Sequence, residues 1–94
     1  MSDLLVESDL EEALKKLPQW EREGDTIRRL FEFDEFMEGI DFVNLVAEVA
    51  EKARHHPDID IRYRRITVSL TTHDAGGLTE ADLEMAQRVE YLVA

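Results

Sequence analysis

Apolar residues near the start of the chain recur at the spacing of an amphipathic helix. Leu10, Leu14 and Leu17 lie three or four residues apart, so a helix would place them on one face. Ser8 is a residue type that caps helices, and Pro18 disfavours helical backbone before it. We therefore predict a short helix from Ser8 to Leu17 that packs through its leucines.

The next segment has the pattern of two β-strands joined by a tight turn. Gly24 and Asp25 separate two stretches of extended character, and a Gly-Asp pair is typical of a two-residue hairpin loop. With that loop, Arg22 pairs with Ile27. One face of the hairpin then carries the predicted core residues Trp20, Ile27, Phe31 and Phe33. Arg29 falls on the same face.

A long helix is predicted from Asp34, which would cap it, to about Ala53. Its apolar residues form two adjacent stripes, namely Phe36, Ile40, Val43, Ala47 and Ala50 in one and Phe42, Val46, Val49 and Ala53 in the other. One stripe is enough to cover a sheet face. The extra width either thickens the core or buries a partner, so the helix Asp34–Ala53 is also the predicted protein-binding surface.

A second hairpin is predicted between residues 58 and 72. Two sets of apolar residues alternate there in opposite phases, first Ile59, Ile61 and Tyr63 and then Ile66, Val68 and Leu70. A single strand would leave half of them in water, because successive side chains point to opposite faces. We therefore predict a turn with Arg64 and Arg65 as its loop. This register sets His56 opposite His73.

The last helix is predicted to start in a capping box formed by Thr79 and Asp82 and to continue through Leu83, Ala86 and Val89. The element order is then helix, hairpin, helix, hairpin, helix. Paired strands separated by helices are typical of an α+β domain. We predict a four-stranded antiparallel sheet, built from two β-hairpins, with three helices packed on one face.

Composition and charge narrow the function classes. A chain of 94 residues fits one domain, here residues 1–94. Asp and Glu number 22 against 11 Lys and Arg, and this acidic excess argues against direct nucleic-acid binding and an anionic membrane surface. The chain contains no cysteine, which excludes disulfides and thiolate chemistry. Without an apolar run long enough for a membrane span or a signal-peptide pattern, we expect a cytoplasmic protein.

The candidate chemistry is concentrated just after the long helix. The stretch Glu51-Lys-Ala-Arg-His55-His56-Pro57 contains two of the three histidines, and His73 is the third. Because Pro57 disfavours helical backbone at the residue before it, the helix should end at or near His55 or His56. Glu51 lies one helical turn before His55, where a carboxylate can orient an imidazole.

The same residues admit two kinds of site. Histidines can transfer protons, because imidazole titrates near neutrality. Alternatively, Glu51, either His55 or His56, and His73 could supply the three ligands of a catalytic zinc. The residue types and their spacing are compatible with both.

Taken together, the motifs resemble the signature of the pterin-4a-carbinolamine dehydratases. The residues that carry the resemblance are Glu51-x-x-x-His55-His56-Pro57, Tyr63, Thr72-His73 and Gly77-Leu78-Thr79-x-x-Asp82. Trp20, the pair Phe31-x-Phe33 and the run Ala50-Glu51-Lys52 are also similar to that family. The likeness extends from about Leu10 to Leu92.

This resemblance implies an α+β fold, dehydration of 4a-hydroxytetrahydropterin to quinonoid dihydropterin, and no metal or organic cofactor. It also implies a role in recycling the pterin that aromatic amino-acid hydroxylases oxidise. By the same resemblance, His55 and His73 would transfer protons, whereas His56 would hold the pterin together with Thr72 and Asp82. Glu51 would orient its histidine neighbour, and Asp82 would also support the loop that carries His73.

A second hypothesis is that the protein acts as a binding module. Relatives in the same family serve as dimerisation cofactors or assembly factors, which implies a function that uses helix surfaces rather than the pterin pocket. The width of the apolar face on the helix Asp34–Ala53, together with the exposed edges of a four-stranded sheet, predicts a homodimer or homotetramer.

Overall fold

The computed structural model of the protein, which describes residues 3–94, has three α-helices and a four-stranded antiparallel sheet. In chain order the elements are α1 (Glu7–Lys15), β1 (Glu21–Glu23), β2 (Thr26–Glu32), α2 (Phe36–Ala53), β3 (Asp58–Arg62), β4 (Arg65–Leu70) and α3 (Glu80–Tyr91). The strands lie in the order β1-β2-β4-β3, so the two hairpins meet through β2 and β4. The predicted α+β fold is confirmed.

One face of the sheet is apolar and carries the helices. Its central strands bury Ile27, Phe31, Ile66, Val68 and Leu70 almost completely. Side chains alternate along each strand, so the neighbours of these residues, such as Arg28 and Ser69, lie on the opposite face. An antiparallel sheet with one covered face and one polar face is a common arrangement, and here it places the core between the sheet and the helices.

The first hairpin forms as predicted. Arg22 pairs with Ile27, which leaves Gly24 and Asp25 as the loop. Trp20 is buried and meets the ring of Phe31 edge to face, with ring centroids 6.3 Å apart.

Arg29, on the same apolar face, is accommodated by a carboxylate from α3. Its guanidinium lies 4.2 Å from the centroid of the Phe31 ring and donates a hydrogen bond to Glu90. Glu90 also accepts a hydrogen bond of 2.8 Å from the indole N–H of Trp20. The cation and the indole N–H therefore share one partly buried acceptor.

The predicted register of the second hairpin was wrong by two residues, since Ile61 pairs with Ile66 rather than with Val68. Arg62 pairs with Arg65, so the loop is Tyr63 and Arg64 rather than Arg64 and Arg65. The apolar alternation could not distinguish these registers, because both place the isoleucines of β3 on the same face as their partners in β4. Tyr63 leaves the predicted core face, adopts φ 54° and stacks on Phe36 with ring centroids 6.2 Å apart.

Two of the predicted helix starts are displaced along the chain. The cap of α1 is Val6, whose carbonyl accepts the N–H of Leu10, so Ser8 lies inside the helix. The cap of α2 is Glu35 rather than Asp34. A capping box needs a polar side chain three residues after the cap, and Glu38 stands at that distance from Glu35. The predicted capping box of α3 is confirmed.

The wide apolar surface of α2 is divided between core and solvent. Phe42, Val46 and Ala50 are buried against the sheet, with Ile40, Val43 and Val49 half-buried beside them. The predicted stripes are corrected at their edges, because Phe36, Ala47 and Ala53 are exposed. The 100° turn per residue carries these three positions away from the sheet. Leu45 and Met37 add further exposed apolar area.

Candidate functional site

The end of α2 positions the two adjacent histidines. The helix stops at Ala53, and Arg54 adopts the left-handed conformation with φ 54° and ψ 39°. The His55 N–H reaches the carbonyl of Ala50 at 3.1 Å and the Arg54 N–H reaches that of Glu51 at 3.3 Å, which is a Schellman ending. The helix therefore ends slightly before the predicted stop at His55 or His56. Left-handed backbone costs a non-glycine residue about 1 kcal/mol.

His55 turns towards α3 and pairs with Asp82. Its ring Nε2 lies 2.5 Å from Asp82 Oδ1. An ionised carboxylate only accepts hydrogen bonds, so Nε2 is the donor, and in a neutral ring Nδ1 is the unprotonated nitrogen. The His55 side chain is 16% exposed and that of Asp82 is 0% exposed. This pair is therefore shielded from water.

Asp82 has further partners that fix its position. Its Oδ2 accepts the N–H of Thr79 at 2.9 Å, which completes the capping box of α3, and the hydroxyl of Thr72 at 2.8 Å. The hydroxyls of Thr72 and Thr79 are 2.8 Å apart. One buried carboxylate thus joins the start of α3, the loop after β4 and His55, in a fully hydrogen-bonded arrangement of the kind that buried charges require.

His56 turns in the other direction and pairs with Glu51. Its Nε2 lies 2.5 Å from Glu51 Oε2, whereas the sequence had predicted that Glu51 would orient His55. The difference follows from the left-handed turn at Arg54, which takes His55 off the helical face that Glu51 occupies. The His56 and Glu51 side chains are 63% and 77% exposed, so this pair is open to water.

His73 lies on a short loop that closes on itself. A 3-10 turn spans His73–Ala75, Gly76 adopts φ 76°, and Thr72 pairs with Gly77 as an isolated bridge. The N-terminal segment supports the residues that follow, since the Leu5 N–H donates to the carbonyl of Leu78 at 2.9 Å. Within residues 3–94 the imidazole of His73 makes no hydrogen bond, so only the loop backbone sets its position.

The three histidines meet at one cleft of about 210 Å³. The predicted pairing of His56 with His73 across the hairpin does not occur, because the observed register, extended beyond the last pair of Asp58 and Ser69, would set His56 opposite Thr71. The loops beyond that pair still bring both histidines to the cleft, which is lined by Arg54, His55, His56, Thr71, Thr72, His73 and Asp74. Larger depressions of about 470 Å³ and 410 Å³ contain no histidine, so we place the candidate site here.

Of the predicted site residues, His55, His56, His73 and Thr72 line the cleft directly. Glu51 and Asp82 are outside this lining, and each is bonded to one of the histidines. Sequence reasoning did not single out Arg54, Thr71 or Asp74, which the cleft adds. Arg54, Thr71 and Asp74 are the direct sequence neighbours of His55, Thr72 and His73, and only this adjacency could have indicated them.

The zinc alternative requires three ligands to converge. Among residues 3–94, no group of three His, Asp or Glu side chains is arranged to hold a metal ion. Likewise, no helix in the described part of the chain is both long and apolar enough to cross a membrane.

Comparisons with known proteins agree on one family. The family described as Pterin 4 alpha carbinolamine dehydratase matches residues 3–92. A protein of Thermomicrobium roseum provisionally named pterin-4-alpha-carbinolamine dehydratase is 48% identical over 90 residues, covering 96% of this chain and 97% of its own. A protein of Acidobacterium capsulatum with the same provisional name is 51% identical over 89 residues, covering 95% and 97%.

Two solved structures share the fold. A crystal structure described as a transcriptional coactivator/pterin dehydratase from Brucella melitensis superposes with a TM-score of 0.93 at 35% identity, covering 98% of this chain and 100% of that one. A pterin dehydratase-like protein described as a RuBisCO assembly factor in the alpha-carboxysome gives a TM-score of 0.66, covering 80% and 87%, and at 21% identity this likeness concerns the fold alone. With the match over residues 3–92 and relatives near half identity along almost their whole length, the chain belongs to the pterin-4a-carbinolamine dehydratase family.

Proposed function

We propose that the protein dehydrates 4a-hydroxytetrahydropterins to quinonoid dihydropterins, and so returns the pterin that aromatic amino-acid hydroxylases oxidise. The observation that carries this proposal is the cleft where His55, His56 and His73 meet, with the first two each bonded to a carboxylate. Membership of the dehydratase family supports the same reaction.

The reaction needs an acid and a base on one small ring system. The C4a–O bond breaks, and the hydroxyl takes up a proton and leaves as water. The adjacent ring nitrogen loses its proton, and the electron pair of that N–H bond forms the C=N bond of the product. Two positioned imidazoles can carry both protons, and each such group typically contributes about 10² to 10⁴ in rate.

We assign the base to His55 and the acid to His73. With Nε2 donating to Asp82, a neutral His55 keeps a lone pair on Nδ1 that can take the proton from the ring nitrogen. His73 is exposed on its loop, so it can regain a proton from solvent after each turnover.

The other site residues would hold the substrate. We assign His56, oriented by Glu51 at 2.5 Å, to a hydrogen bond with the pterin. Thr72 lines the cleft while its hydroxyl is bonded to Asp82, so we assign it, with Asp82, to shaping the floor of the site. The carboxylate of Asp82 acts through His55 and Thr72 and is a positioning group in this proposal.

The decisive assay follows dehydration of freshly generated 4a-hydroxytetrahydropterin by purified protein, with and without exhaustive chelation. We expect turnover well above the spontaneous rate, unchanged by the chelator, and far less than one equivalent of zinc per chain by elemental analysis. His55→Gln, like His73→Gln, should lower turnover by roughly 10² or more. Stoichiometric zinc with chelator-sensitive turnover would favour the zinc site, and no turnover at all would reject the proposal.

A second candidate function is protein binding through α2. Phe36, Met37 and Leu45 are all at least two-fifths exposed on this helix, and a protein partner or a second copy of the chain would cover apolar side chains of this kind. We propose that the protein is a homodimer or homotetramer. Analytical ultracentrifugation at micromolar concentration should show a multiple of the chain's mass, and a single species of one chain's mass would contradict the proposal.

A further inference from the structure

We propose that Arg54 binds an anionic group on the side chain of the pterin, so that the preferred substrate carries a phosphate or carboxylate outside its ring system. This inference rests on the proposed function, and it concerns substrate class rather than the dehydration itself. It starts from one residue that lines the cleft beside His55 and that the dehydration chemistry does not use.

The backbone at Arg54 does not explain why an arginine stands there. The position has φ 54°, a conformation that glycine adopts freely and asparagine tolerates better than arginine does. The Schellman ending needs only the main-chain N–H groups of Arg54 and His55. The helix ending therefore requires left-handed backbone at this position but not an arginine, and non-glycine residues held in such backbone are typical of functional sites.

The guanidinium of Arg54 also has no hydrogen-bond or salt-bridge partner among residues 3–94. Several other arginines lie within salt-bridge distance of a carboxylate, namely Arg22, Arg28, Arg29, Arg62 and Arg65. Arg54 has no such carboxylate within residues 3–94, although the chain holds 22 Asp and Glu residues. An unpaired guanidinium, with its fork of donors, is suited to bind a carboxylate or phosphate.

The charge and the size of the cleft indicate that Arg54 would meet the outer end of a bound substrate. Arg54 is the one arginine or lysine of the cleft lining and Asp74 its one carboxylate, in a chain of net charge -11. Arg54 thus relieves the repulsion that an anionic ligand would meet elsewhere. The cleft, about 210 Å³, is below the roughly 300 to 1,000 Å³ of drug-sized pockets, so a side chain on the ring would extend to its exposed rim.

The experiment compares three 4a-hydroxytetrahydropterins whose side chains are neutral, carboxylated or phosphorylated. Arg54→Asn keeps a residue that tolerates left-handed backbone, Arg54→Lys keeps the charge, and Arg64→Asn is the control that removes one cation from a different depression. We expect Arg54→Asn to lower kcat/KM for the anionic substrates about 5- to 10-fold through KM, with the neutral substrate unchanged. Arg54→Lys should lose less, Arg64→Asn nothing, and added salt should shrink the difference.

Each outcome bears on the inference. Loss confined to the phosphorylated or to the carboxylated substrate would support it and identify which anion is bound. Equal loss on the neutral and anionic substrates, or no preference of the wild type for an anion, would overturn it while leaving dehydration intact. Failure of the wild type to turn over any of the three would instead reject the proposed function, and this inference with it.

Discussion

Two adjacent histidines in this protein occupy opposite environments. His55 and Asp82 form a pair at the base of the site that water barely reaches, whereas His56 and Glu51 form a pair that lies on the surface. The nitrogen-to-oxygen distance is 2.5 Å in both. Equal geometry therefore does not mean equal consequence, because an exposed pair contributes little to stability while a buried one is costly to break.

The difference originates at a single residue. The left-handed turn at Arg54 sends His55 inward and leaves His56 above the last turn of α2. The inner carboxylate also serves the cap of α3 and the hydroxyl of Thr72, whereas within residues 3–94 the outer carboxylate bonds only to His56. The inner pair thus helps to hold α3 and Thr72 in place, whereas the outer pair joins only Glu51 and His56.

The largest expected effect is on stability when the inner carboxylate is removed. Asp82→Ala leaves three donors without their acceptor, namely the His55 ring, the Thr72 hydroxyl and the Thr79 N–H at the start of α3, and should lower the free energy of unfolding by about 3 kcal/mol. The matched variant Glu51→Ala should change it by less than about 0.5 kcal/mol. Urea unfolding measures both. Similar losses from the two variants would mean that burial does not distinguish the pairs.

The third histidine is a case in which, among the described residues 3–94, neither burial nor a hydrogen-bond partner contributes to stability. His73 lies exposed on its loop, so His73→Ala should shift unfolding stability by about 1 kcal/mol or less. If it transfers a proton in the rate-limiting step, kcat should fall by roughly 10² or more. His73→Gln should be nearly as impaired, because the amide hydrogen-bonds but does not titrate.

Near-native turnover by both His73 variants would remove this residue from proton transfer and leave the mechanism to His55, His56 or bound water. Unfolding of His73→Ala would show a structural histidine instead. Stopped-flow dehydration kinetics and urea midpoints, measured on the same preparations, separate these outcomes.

A smaller effect is expected where the loop of His73 meets the N-terminal segment. A methyl group added at Gly77 would lie 3.0 Å from Cδ2 of Leu4, close enough to move the loop. Gly77→Ala should therefore lower kcat about threefold, and Leu4→Ala in the same chain should restore it, since the flexible leucine is the group in the way. Leu4→Ala alone is the control. Additive losses in the double variant would show that the two residues do not interact.

The smallest effect concerns the exposed pair of Arg22 and Glu7. Two hydrogen bonds join this pair, whereas one joins His56 to Glu51. Arg22 donates two hydrogen bonds to Glu7, of 2.6 Å and 2.8 Å, and these bonds and the positive charge hold the pKa of Glu7 below its ordinary value of 4.5. A lowered carboxyl pKa stabilises the fold above that ordinary value, and the contribution is lost as pH falls through the pKa of the folded state.

Comparison of the wild type with Glu7→Gln tests this pair. The difference between their urea midpoints should be small at about pH 6, shrink towards about pH 3, and shrink in concentrated salt as well. A difference that grows as the pH falls would contradict the assigned direction of the pKa shift.

Much of the fold was predictable because apolar alternation reports which face of an element is buried. That signal repeats every two residues in a strand, so it predicted the hairpin after α2 but could not separate a loop at Arg64-Arg65 from the observed loop at Tyr63-Arg64. The capping box of Thr79 and Asp82 was predicted correctly, because the side chain of each residue accepts a hydrogen bond from the backbone of the other.

The candidate site was predictable by residue type but not by pairing. Spacing along an ideal helix predicted that Glu51 pairs with His55. In the structure the left-handed backbone at Arg54 turns His55 away from Glu51, and the partner of His55 is Asp82. Nothing in the sequence marks Arg54 for this conformation, since arginine rarely adopts it. Contacts across 27 residues, such as that between His55 and Asp82, depend on how whole elements pack.

The double use of Asp82 links the site to the local motions of α3. Its carboxylate holds the Thr79 N–H at 2.9 Å and His55 at 2.5 Å, so fraying of the first helical turn and release of the imidazole would be one event. Such an opening is a local unfolding equilibrium with its own free energy. The rate at which the Thr79 amide exchanges its hydrogen with solvent would therefore measure how often the contact between His55 and Asp82 opens in the absence of any substrate.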